Sequence, residues 1–427
     1  MKDRRSHPSI LTRSSWGQLL PAMIIGIFTV ISSPQVHSAA GSFAEALTMG
    51  KAYGDLRLRY ESVEQDNALK DATALTLRTK VGYSTGSYEG FSALIEFEDS
   101  RIVAGEDDFS VPPIGFNPGS SIIADPETTE LDQAYIQYKN SLVTARLGAQ
   151  VIALDNQRFV GPVGWRQDRV TFDAISATFT PTNKLTITAA HLFERNRLFA
   201  EVLDQKSKDN LINITYPTAI GKLSAYAYLI EDDFGNNLAR DTFGLRLGGA
   251  QSLLGSKVKY ILEYADQSLE DDTGLDFSMD YMHLELSTAI QGVMAKVGVE
   301  TLGSDGSGQG FFTPLATVHK FNGWSDQFVL YTPTVGLVDI YIGASRKIGP
   351  GKLSVVYHDF SADKETASVD DLGDEINVSY GMKFGKRYNV GIKYAKYNAA
   401  DNFRPAGAPP VVSVDTEKLW IWMGVTF

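Results

Sequence analysis

Apolar and polar side chains alternate from residue 50 to the end of the chain, in segments of about ten residues. Phe91, Ala93, Ile95 and Phe97, for example, are separated by residues that are mostly polar. A period of two is typical of a β-strand with one apolar and one polar face, because successive side chains point to opposite sides. The pattern predicts eighteen strands, near residues 52–61, 73–84, 90–99, 131–138, 143–150, 170–179, 185–193, 210–216, 222–231, 240–248, 257–265, 278–287, 292–301, 335–345, 352–360, 374–384, 388–397 and 417–427.

The connections between these segments alternate between short and long. Short connections, such as 139–142 and 217–221, carry Gly, Pro or Asn, whereas 100–130, 151–169 and 302–334 are long. A soluble β-sandwich shows the same alternation of side chains but has no reason to segregate its loop lengths. We therefore predict an all-β fold, an antiparallel transmembrane β-barrel of about eighteen strands with short periplasmic turns and long extracellular loops. Sixteen strands are the alternative count.

The final segment has the pattern of a strand that closes a barrel. Leu419, Ile421, Met423, Val425 and Phe427 occupy one face, and the chain ends on Phe427. Unpaired strand edges are too costly in lipid, so this segment is expected to pair with the first strand. A terminal aromatic residue after alternating apolar residues resembles the signal read by the barrel assembly machinery, which is predicted as a partner.

Residues 1–38 have the composition of a secretory signal peptide. Four basic residues open the segment, residues 19–32 are apolar, and residues 36–38 offer a cleavage site. The apolar stretch is shorter than the ~20 residues that a spanning helix needs. We therefore predict a signal peptide over residues 1–38 and an outer-membrane barrel of a Gram-negative cell over residues 39–427, in contact with membrane lipid and lipopolysaccharide.

Composition narrows the possible functions. The chain of 427 residues has no cysteine, which excludes disulfides and thiolate metal sites. Without residues 1–38 it carries 35 basic and 50 acidic residues, a net charge of -15. This balance argues against a nucleic-acid partner, whose phosphates must be neutralised by basic residues.

Basic residues are placed on the polar face of several early strands. Arg57 and Arg59 lie in the first strand, Arg78 and Lys80 in the second, and Arg146 in the fifth. A charge facing lipid near the bilayer midplane costs ~2–4 kcal/mol, so we expect these side chains in the lumen. Either they pair with inward acids and brace the barrel, or they form a ladder for carboxylate-bearing solutes; both can hold. The inward acids are Glu61, Glu96, Glu98, Glu263, Glu285, Glu300 and Glu375.

The connection 151–169 has an unusual composition for a free extracellular loop. It contains Arg158, Arg166 and Arg169, together with Trp165 and several Gly and Pro residues. We expect this loop to fold into the barrel and narrow it, with the three arginines near the opening.

Three runs of residues resemble the alginate-export family of outer-membrane porins. They are DNQRFVGPVGWRQDRVTFDA from Asp155, GDLRLRYE at 54–61 and TPLATVHKFNGWSD at 313–326. The resemblance spans nearly all of residues 39–427 and implies an eighteen-stranded barrel with an electropositive constriction that passes anionic polyuronate. It places five arginines in segments similar to the pore lining of the family: Arg57, Arg59, Arg146, Arg158 and Arg166.

Enzyme signatures are missing from the sequence. It has neither a His-Glu-x-x-His nor a Gly-x-Ser-x-Gly motif, and we predict no catalytic residues, no metal and no cofactor. His358 precedes Asp359, but adjacent strand residues point to opposite faces. Acidic loop runs such as 106–108 could bind Ca²⁺, although solvated loop charge is the more common explanation.

The sequence thus favours an outer-membrane channel for an anionic organic solute, such as oligo- or polyuronates like alginate. The alternatives are a general small-solute porin and a barrel that anchors surface-binding loops at 100–130 and 302–334. The identity of the solute, the transport direction and the oligomeric state are left open by the sequence.

Overall fold

The computed structural model describes residues 40–115, 117–232, 238–253, 255–270, 276–329, 332–367, 369–401 and 413–427. The predicted signal peptide, residues 1–38, lies outside the described residues. A helix α1 (Phe43–Thr48) precedes the first strand. The strands are β1 (Lys51–Gln65), β2 (Ala72–Ser84), β3 (Phe91–Ala104), β4 (Thr128–Lys139), β5 (Val143–Gln150), β6 (Thr171–Phe179), β7 (Thr186–Asn196), β8 (Gln205–Lys206), β9 (Asn210–Thr218), β10 (Gly221–Asp232), β11 (Leu238–Leu253), β12 (Ser256–Glu270), β13 (Asp276–Ile290), β14 (Val293–Leu302), β15 (Leu337–Ile348), β16 (Gly351–Ser361), β17 (Asp371–Phe384), β18 (Tyr388–Asn398) and β19 (Thr416–Thr426).

Eighteen of these strands form one closed antiparallel barrel. Each strand pairs with its neighbour in the chain, and β19 pairs with β1. The exception is β8, which has two residues and pairs only with the outer end of β7, so that β7 continues directly to β9. The predicted fold class and the count of eighteen strands are confirmed, and sixteen is wrong.

The closing seam runs along almost the whole of β1 and β19. Leu58 lies opposite Met423 and Arg59 lies opposite Trp422. Beyond the last strand residue, Phe427 and Gly54 exchange both backbone hydrogen bonds at 3.0 Å. The backbone groups at this edge are therefore satisfied, as a barrel in lipid requires.

The outer surface is apolar and the inner surface is polar. On β2, Val81 is exposed outward, whereas Arg78 and Lys80 are buried on the opposite face. Aromatic pairs lie at strand ends on the short-turn side, including Phe384 stacked on Tyr388 at 5.2 Å. Such rings are typical of the membrane interface of a barrel. No helix in the described residues is long and apolar enough to cross a membrane.

The lumen contains folded loops. A cluster of buried apolar residues joins the loops 151–170, 303–329 and 332–336 to the inner wall. Within it, Phe159 contacts Tyr226 and Tyr281, and Phe311 contacts Tyr281. The expectation for 302–334 as an exterior binding loop differs from the structure, because Phe311, Leu315 and Phe328 of this segment pack inside the barrel. Its apolar side chains are buried from water there, whereas in an extracellular loop they would be exposed to water.

Candidate functional site

Two loops meet inside the barrel and form one body. Gly161 donates its backbone N–H to the carbonyl of Leu315 at 2.8 Å, and Thr317 donates to the carbonyl of Gln157 at 3.0 Å. A Cβ at position 161 would lie 2.3 Å from the hydroxyl of Thr317, so glycine is needed for this close approach. We call residues 151–170, 303–329 and 332–336 the constriction loops, because they fill part of the lumen.

Arg57 reaches from β1 to the first constriction loop. Its Nε donates to Gln167 Oε1 at 3.0 Å, one Nη donates to the carbonyl of Gly164 at 3.2 Å, and the other donates to the carbonyl of Arg166. All three acceptors are neutral, and Arg57 has no ion pair with any described residue. Its positive charge is therefore held in place without being cancelled by an adjacent carboxylate.

Arg59 and Arg166 share acidic partners. Arg59 forms ion pairs with Asp125 and with Glu61, the latter at 3.4 Å. Arg166 binds both carboxylate oxygens of Glu61 at 2.9 and 2.8 Å and reaches Asp326 at 3.2 Å. Burial alone would raise the pKa of Asp125, but the charges of Arg59 and Arg166 outweigh it and lower that pKa. These two arginines therefore brace the loops against β1.

Arg158 joins the two constriction loops to the opposite wall. Its Nε lies 2.8 Å from Glu300 Oε1, and its Nη2 donates to Asn322 Oδ1 at 2.9 Å. The guanidinium also lies over the ring of Phe321, 4.9 Å from the centroid. Only 2% of Arg158 is exposed, so this buried residue supports the constriction loops and has little surface in the open lumen.

Arg78, Lys80 and Arg169 belong to a charge network along β2, β3 and β4. Lys80 Nζ lies 2.9 Å from Glu98, and Arg169 Nη2 lies 2.7 Å from Asp132. Arg78 pairs with Asp55 and Arg169 also pairs with Glu96. The positive charges of this group are matched by acids, as expected for pairing that braces a barrel wall.

Arg146 stands apart from this network, on the inner face of β5. Its Nε donates to Gln137 Oε1 at 2.9 Å, and its guanidinium lies 4.8 Å from the ring centroid of Tyr135. Within the described part of the chain it has no carboxylate partner. Of the eight predicted lumenal cations, Arg146 and Arg57 are therefore the two whose hydrogen-bond acceptors among the described residues are all neutral.

The structure also reveals a lysine site that sequence reasoning missed. Lys393 on β18 points its Nζ toward Trp324, Trp165 and Trp420, at 3.9, 4.4 and 5.6 Å from the ring centroids. The same Nζ lies 2.8 Å from His319 Nε2. Three tryptophans from two loops and one strand converge on a single lysine, so cation–π contacts connect both constriction loops to the wall.

His319 completes this arrangement from the second constriction loop. Its ring stacks on Trp165 with centroids 4.8 Å apart, and its Nδ1 lies 2.6 Å from Asp326 Oδ1. Burial lowers the pKa of His319 to about 3, so the ring is neutral near pH 7. The chain of Asp326, His319 and Lys393 is therefore linked by hydrogen bonds. His319, Trp324 and Asp326 all lie in the sequence run 313–326, but the spacing of these residues did not indicate what they would contact.

The opposite wall, on β10 to β15, combines tyrosines with acids. Three tyrosine hydroxyls donate to carboxylates: Tyr281 to Glu300 at 2.6 Å, Tyr226 to Glu263 at 3.0 Å, and Tyr341 to Glu285 at 2.9 Å. Two of these carboxylates are also paired with cations, Glu300 with Arg158 and Glu263 with Arg246. This wall is therefore a network of hydrogen bonds and ion pairs, like the wall formed by β2 to β4.

The space beside Arg57 is open. Gly164, whose carbonyl binds Arg57, is exposed, and a Cβ placed on it would meet no heavy atom within 4 Å. The neighbouring Trp165 and Trp422 are half-buried and meet edge to face, with centroids 5.5 Å apart. Arg57 therefore lies at the edge of free lumenal space and not in the interior of the loop body.

Comparison with known proteins identifies the family. The model of a family described as "Alginate export" matches residues 49–283, more than half of the chain. The chain belongs to the alginate-export family. This result confirms the resemblance inferred from the motifs at 54–61 and 155–174. The motif at 313–326 lies outside the matched residues.

Solved structures of outer-membrane porins are similar to this member of the alginate-export family. Acinetobacter baumannii OccAB1 has a TM-score of 0.69 at 11% identity, covering 93% of this chain and 99% of the other. Pseudomonas aeruginosa OccK9 (OpdG) has a TM-score of 0.67 at 13% identity, covering 90% and 100%. Pseudomonas aeruginosa OpdK, solved with vanillate, has a TM-score of 0.65 at 12% identity, covering 88% and 98%. At these identities the similarity shows the fold. No curated protein matches the chain.

The protein is therefore an outer-membrane porin-like barrel of a Gram-negative cell, and both its family and its structural neighbours are channels. Lumenal passage of solute and contact with lipid follow from this architecture. Among the described residues, no group of three His, Asp or Glu side chains is arranged to hold a metal ion.

Proposed function

We propose that this member of the alginate-export family is a channel for anionic organic solutes, which pass beside Arg57. The observation that carries the proposal is the environment of Arg57: its three acceptors are neutral, and it borders open space next to Gly164. A fixed, uncancelled charge at a narrow point surrounded by low-dielectric walls attracts ions of opposite sign.

Arg146 supplies a second binding site of the same kind for an anion. It lies four residues from the short turn that joins β4 to β5, so it is nearer the periplasmic end than the constriction loops. Like Arg57, it contacts neutral groups, and its fork of donors matches the geometry of a carboxylate. Two such binding sites allow an anion to bind at one, leave it and bind at the other as it moves along the lumen.

Uronates are the solutes best suited to this proposal. The family description names alginate export, and one similar structure was solved with vanillate, which also carries a carboxylate. A uronate combines a carboxylate for Arg57 with hydroxyls that can bond to polar groups along the lumen. We infer passage of oligouronates on this chemical ground.

A swelling assay on liposomes that contain the purified protein tests the proposal. We expect galacturonate and glucuronate to enter faster than galactose and glucose, which have nearly the same size. Liposomes without protein, and liposomes with an unrelated porin, serve as controls. Equal rates for the acid and the neutral sugar of each pair would contradict the proposal.

A general small-solute porin is the second candidate, and the ion pairs of the lumen favour it. Six of the eight predicted cations contact carboxylates, which weakens the field available for selection. This candidate predicts rates in the swelling assay that depend on size alone. Anchoring of a surface-binding domain is less consistent with the structure, because Asp125 and the constriction loops contact the inner wall.

Membrane partners are proposed on the same basis. We propose that β19 is recognised by the barrel assembly machinery through Phe427, whose side chain is exposed on the outer face, and that the long loops contact lipopolysaccharide. Changing Phe427 to Ala keeps the backbone pair with Gly54, so it should reduce assembly in cells without altering the refolded barrel.

We also infer that the protein is not an enzyme.

A further inference from the structure

The short helix before the barrel is a defined element with its own caps. The hydroxyl of Ser42 accepts the backbone N–H of Glu45 at 3.1 Å, and the carboxylate of Glu45 accepts the N–H of Gly41 at 2.6 Å. These two bonds stabilise the first turn of the helix much as a capping box does, with the difference that Glu45 bonds the residue before the N-cap, Ser42. The N-terminus of helix α1 is therefore stabilised by side-chain hydrogen bonds.

Helix α1 is fixed to the turn between β2 and β3. Gly86 donates its N–H to the carbonyl of Ala46 at 2.8 Å, and Ala40 donates to the carbonyl of Ser87 at 3.2 Å. Ala40 and Ala46 are buried in this contact. The turn is one of the short ones, so α1 lies at the periplasmic rim.

The position of Tyr83 shows that α1 lies on the lipid side of this rim. On β2, Arg78 and Lys80 face the lumen, whereas Val81 faces outward and is 52% exposed. Tyr83 has the same parity as Val81, and its hydroxyl donates to the carbonyl of Leu47 at 2.5 Å. The last turn of α1 is thus bound to a side chain of the barrel's outer face.

The surface of α1 is amphipathic. Phe43 and Leu47 are four residues apart, so they share one flank, and they are 66% and 46% exposed. Glu45 points from the opposite flank. The two side chains together form a small apolar patch on one flank of the helix.

The apolar flank continues a band of exposed rings and aliphatic side chains at the same level. Phe91 follows the turn that holds α1, is exposed outward, and contacts the ring of Tyr138 with centroids 4.9 Å apart. Because this band faces the inner leaflet of the outer membrane, the surface next to α1 is already a lipid interface.

We propose that α1 is an interfacial anchor that inserts Phe43 and Leu47 into the headgroup and acyl boundary of the periplasmic leaflet. A short helix with one apolar flank and one charged flank lies in the plane of such a boundary. The anchor directly precedes β1, and Gly54 of β1 pairs with Phe427 at the end of β19. Insertion of α1 therefore tethers the periplasmic end of the seam to the bilayer.

Single cysteines provide a direct test, because the chain contains none. The variants Phe43→Cys and Leu47→Cys are labelled with an NBD fluorophore and reconstituted in vesicles with and without doxyl-labelled phospholipids. Val81→Cys reports a lipid-facing position. Thr48→Cys, on the other side of the helix, and Ser307→Cys, at an exposed position of the second constriction loop and away from lipid, report aqueous positions. Migration of unheated samples on gels verifies that each barrel is folded.

We expect quenching at positions 43 and 47 to approach that at position 81 and to exceed that at positions 48 and 307 by about threefold, given the shallow depth of interfacial helices. Quenching at 43 and 47 no greater than at 307 would overturn the proposal, since it would place the helix in water or against a protein partner. Equal quenching at 43, 47 and 48 would also overturn it, because the helix would then have no oriented apolar flank.

Discussion

The imidazole ring of His319 lies parallel to the indole ring of Trp165, with an angle of 5° between the planes and 4.8 Å between the centroids. The two residues belong to different constriction loops, separated by more than 150 residues in the chain. Lys393 contacts both residues, since its Nζ lies over the ring of Trp165 and is hydrogen-bonded to Nε2 of His319. These contacts make the two loops a single body attached to the barrel wall. The first prediction concerns this attachment.

Replacing Trp165 by alanine should increase the single-channel conductance. The change removes the stacking on His319 and the cation–π contact with Lys393, and it leaves a space in the lumen. Trp165→Phe retains an aromatic face and should stay close to the original protein. Planar-bilayer recordings measure the effect, and an unchanged conductance for Trp165→Ala would show that the ring does not narrow the pore.

The pair of Glu61 and Arg166 should be important for stability. Glu61 is 1% exposed, and its change to Gln leaves Arg166 with Asp326 as its remaining acid and also weakens the pair with Arg59. Removing one partner of a buried ion pair costs about 3–5 kcal/mol. Urea unfolding in detergent, followed by tryptophan fluorescence, measures this loss.

A double-mutant cycle separates the pair from other effects of these substitutions. If Glu61 and Arg166 interact directly, the double variant Glu61→Gln with Arg166→Gln should be more stable than the sum of the single losses predicts, by about 1–3 kcal/mol. Additive losses would mean that the two residues act independently, contrary to the geometry.

The contribution of His319 to stability should fall as the pH drops from 7 to 5. Burial lowers its pKa in the folded state to about 3, whereas an exposed histidine has a pKa near 6.5. Between these values the unfolded state binds more protons, so stability is fully present above pH ~6.5 and is lost progressively below it, by about 2 kcal/mol at pH 5.

Asp326, the acid beside His319, stays deprotonated between pH 5 and 7 and does not change stability there. The pKa of Asp326 is held well below its usual value, since the effects of His319, Lys418 and Arg166 outweigh burial, so its contribution is lost only at lower pH. The variant His319→Gln should therefore have a flatter dependence between pH 5 and 7. Urea midpoints at both pH values test this, and equal slopes in the two proteins would contradict it.

Much of the barrel could be predicted from the sequence, because each strand pattern is local. The alternation of Ile376, Val378 and Tyr380 with polar neighbours indicates a strand wherever it occurs, and the predicted segment 374–384 agrees with Asp371–Phe384. Strand ends were less accurate: the segment 240–248 is part of the longer Leu238–Leu253. Nothing local distinguishes the end of the membrane span from the strand that continues beyond it.

The site could be predicted only in part, because its contacts join distant segments. The inward direction of Arg57 and Arg59 follows from the parity of β1, but their different partners depend on where Gln167 and Asp125 lie in the lumen. The cluster around Lys393 was missed for the same reason. A lysine on a polar strand face gives no indication that three distant tryptophans surround it.

The ion selectivity of single channels tests the central claim most directly. Reversal potentials in a KCl gradient should show anion preference for the unmodified protein, and Arg57→Gln should lower the anion-to-cation permeability ratio by roughly threefold, equivalent to about 0.7 kcal/mol. Lys206→Gln, an equal change of charge in an exposed residue of the loop region, should leave the ratio unchanged. Cation preference in the unmodified protein, or a ratio unaffected by Arg57→Gln, would contradict the account.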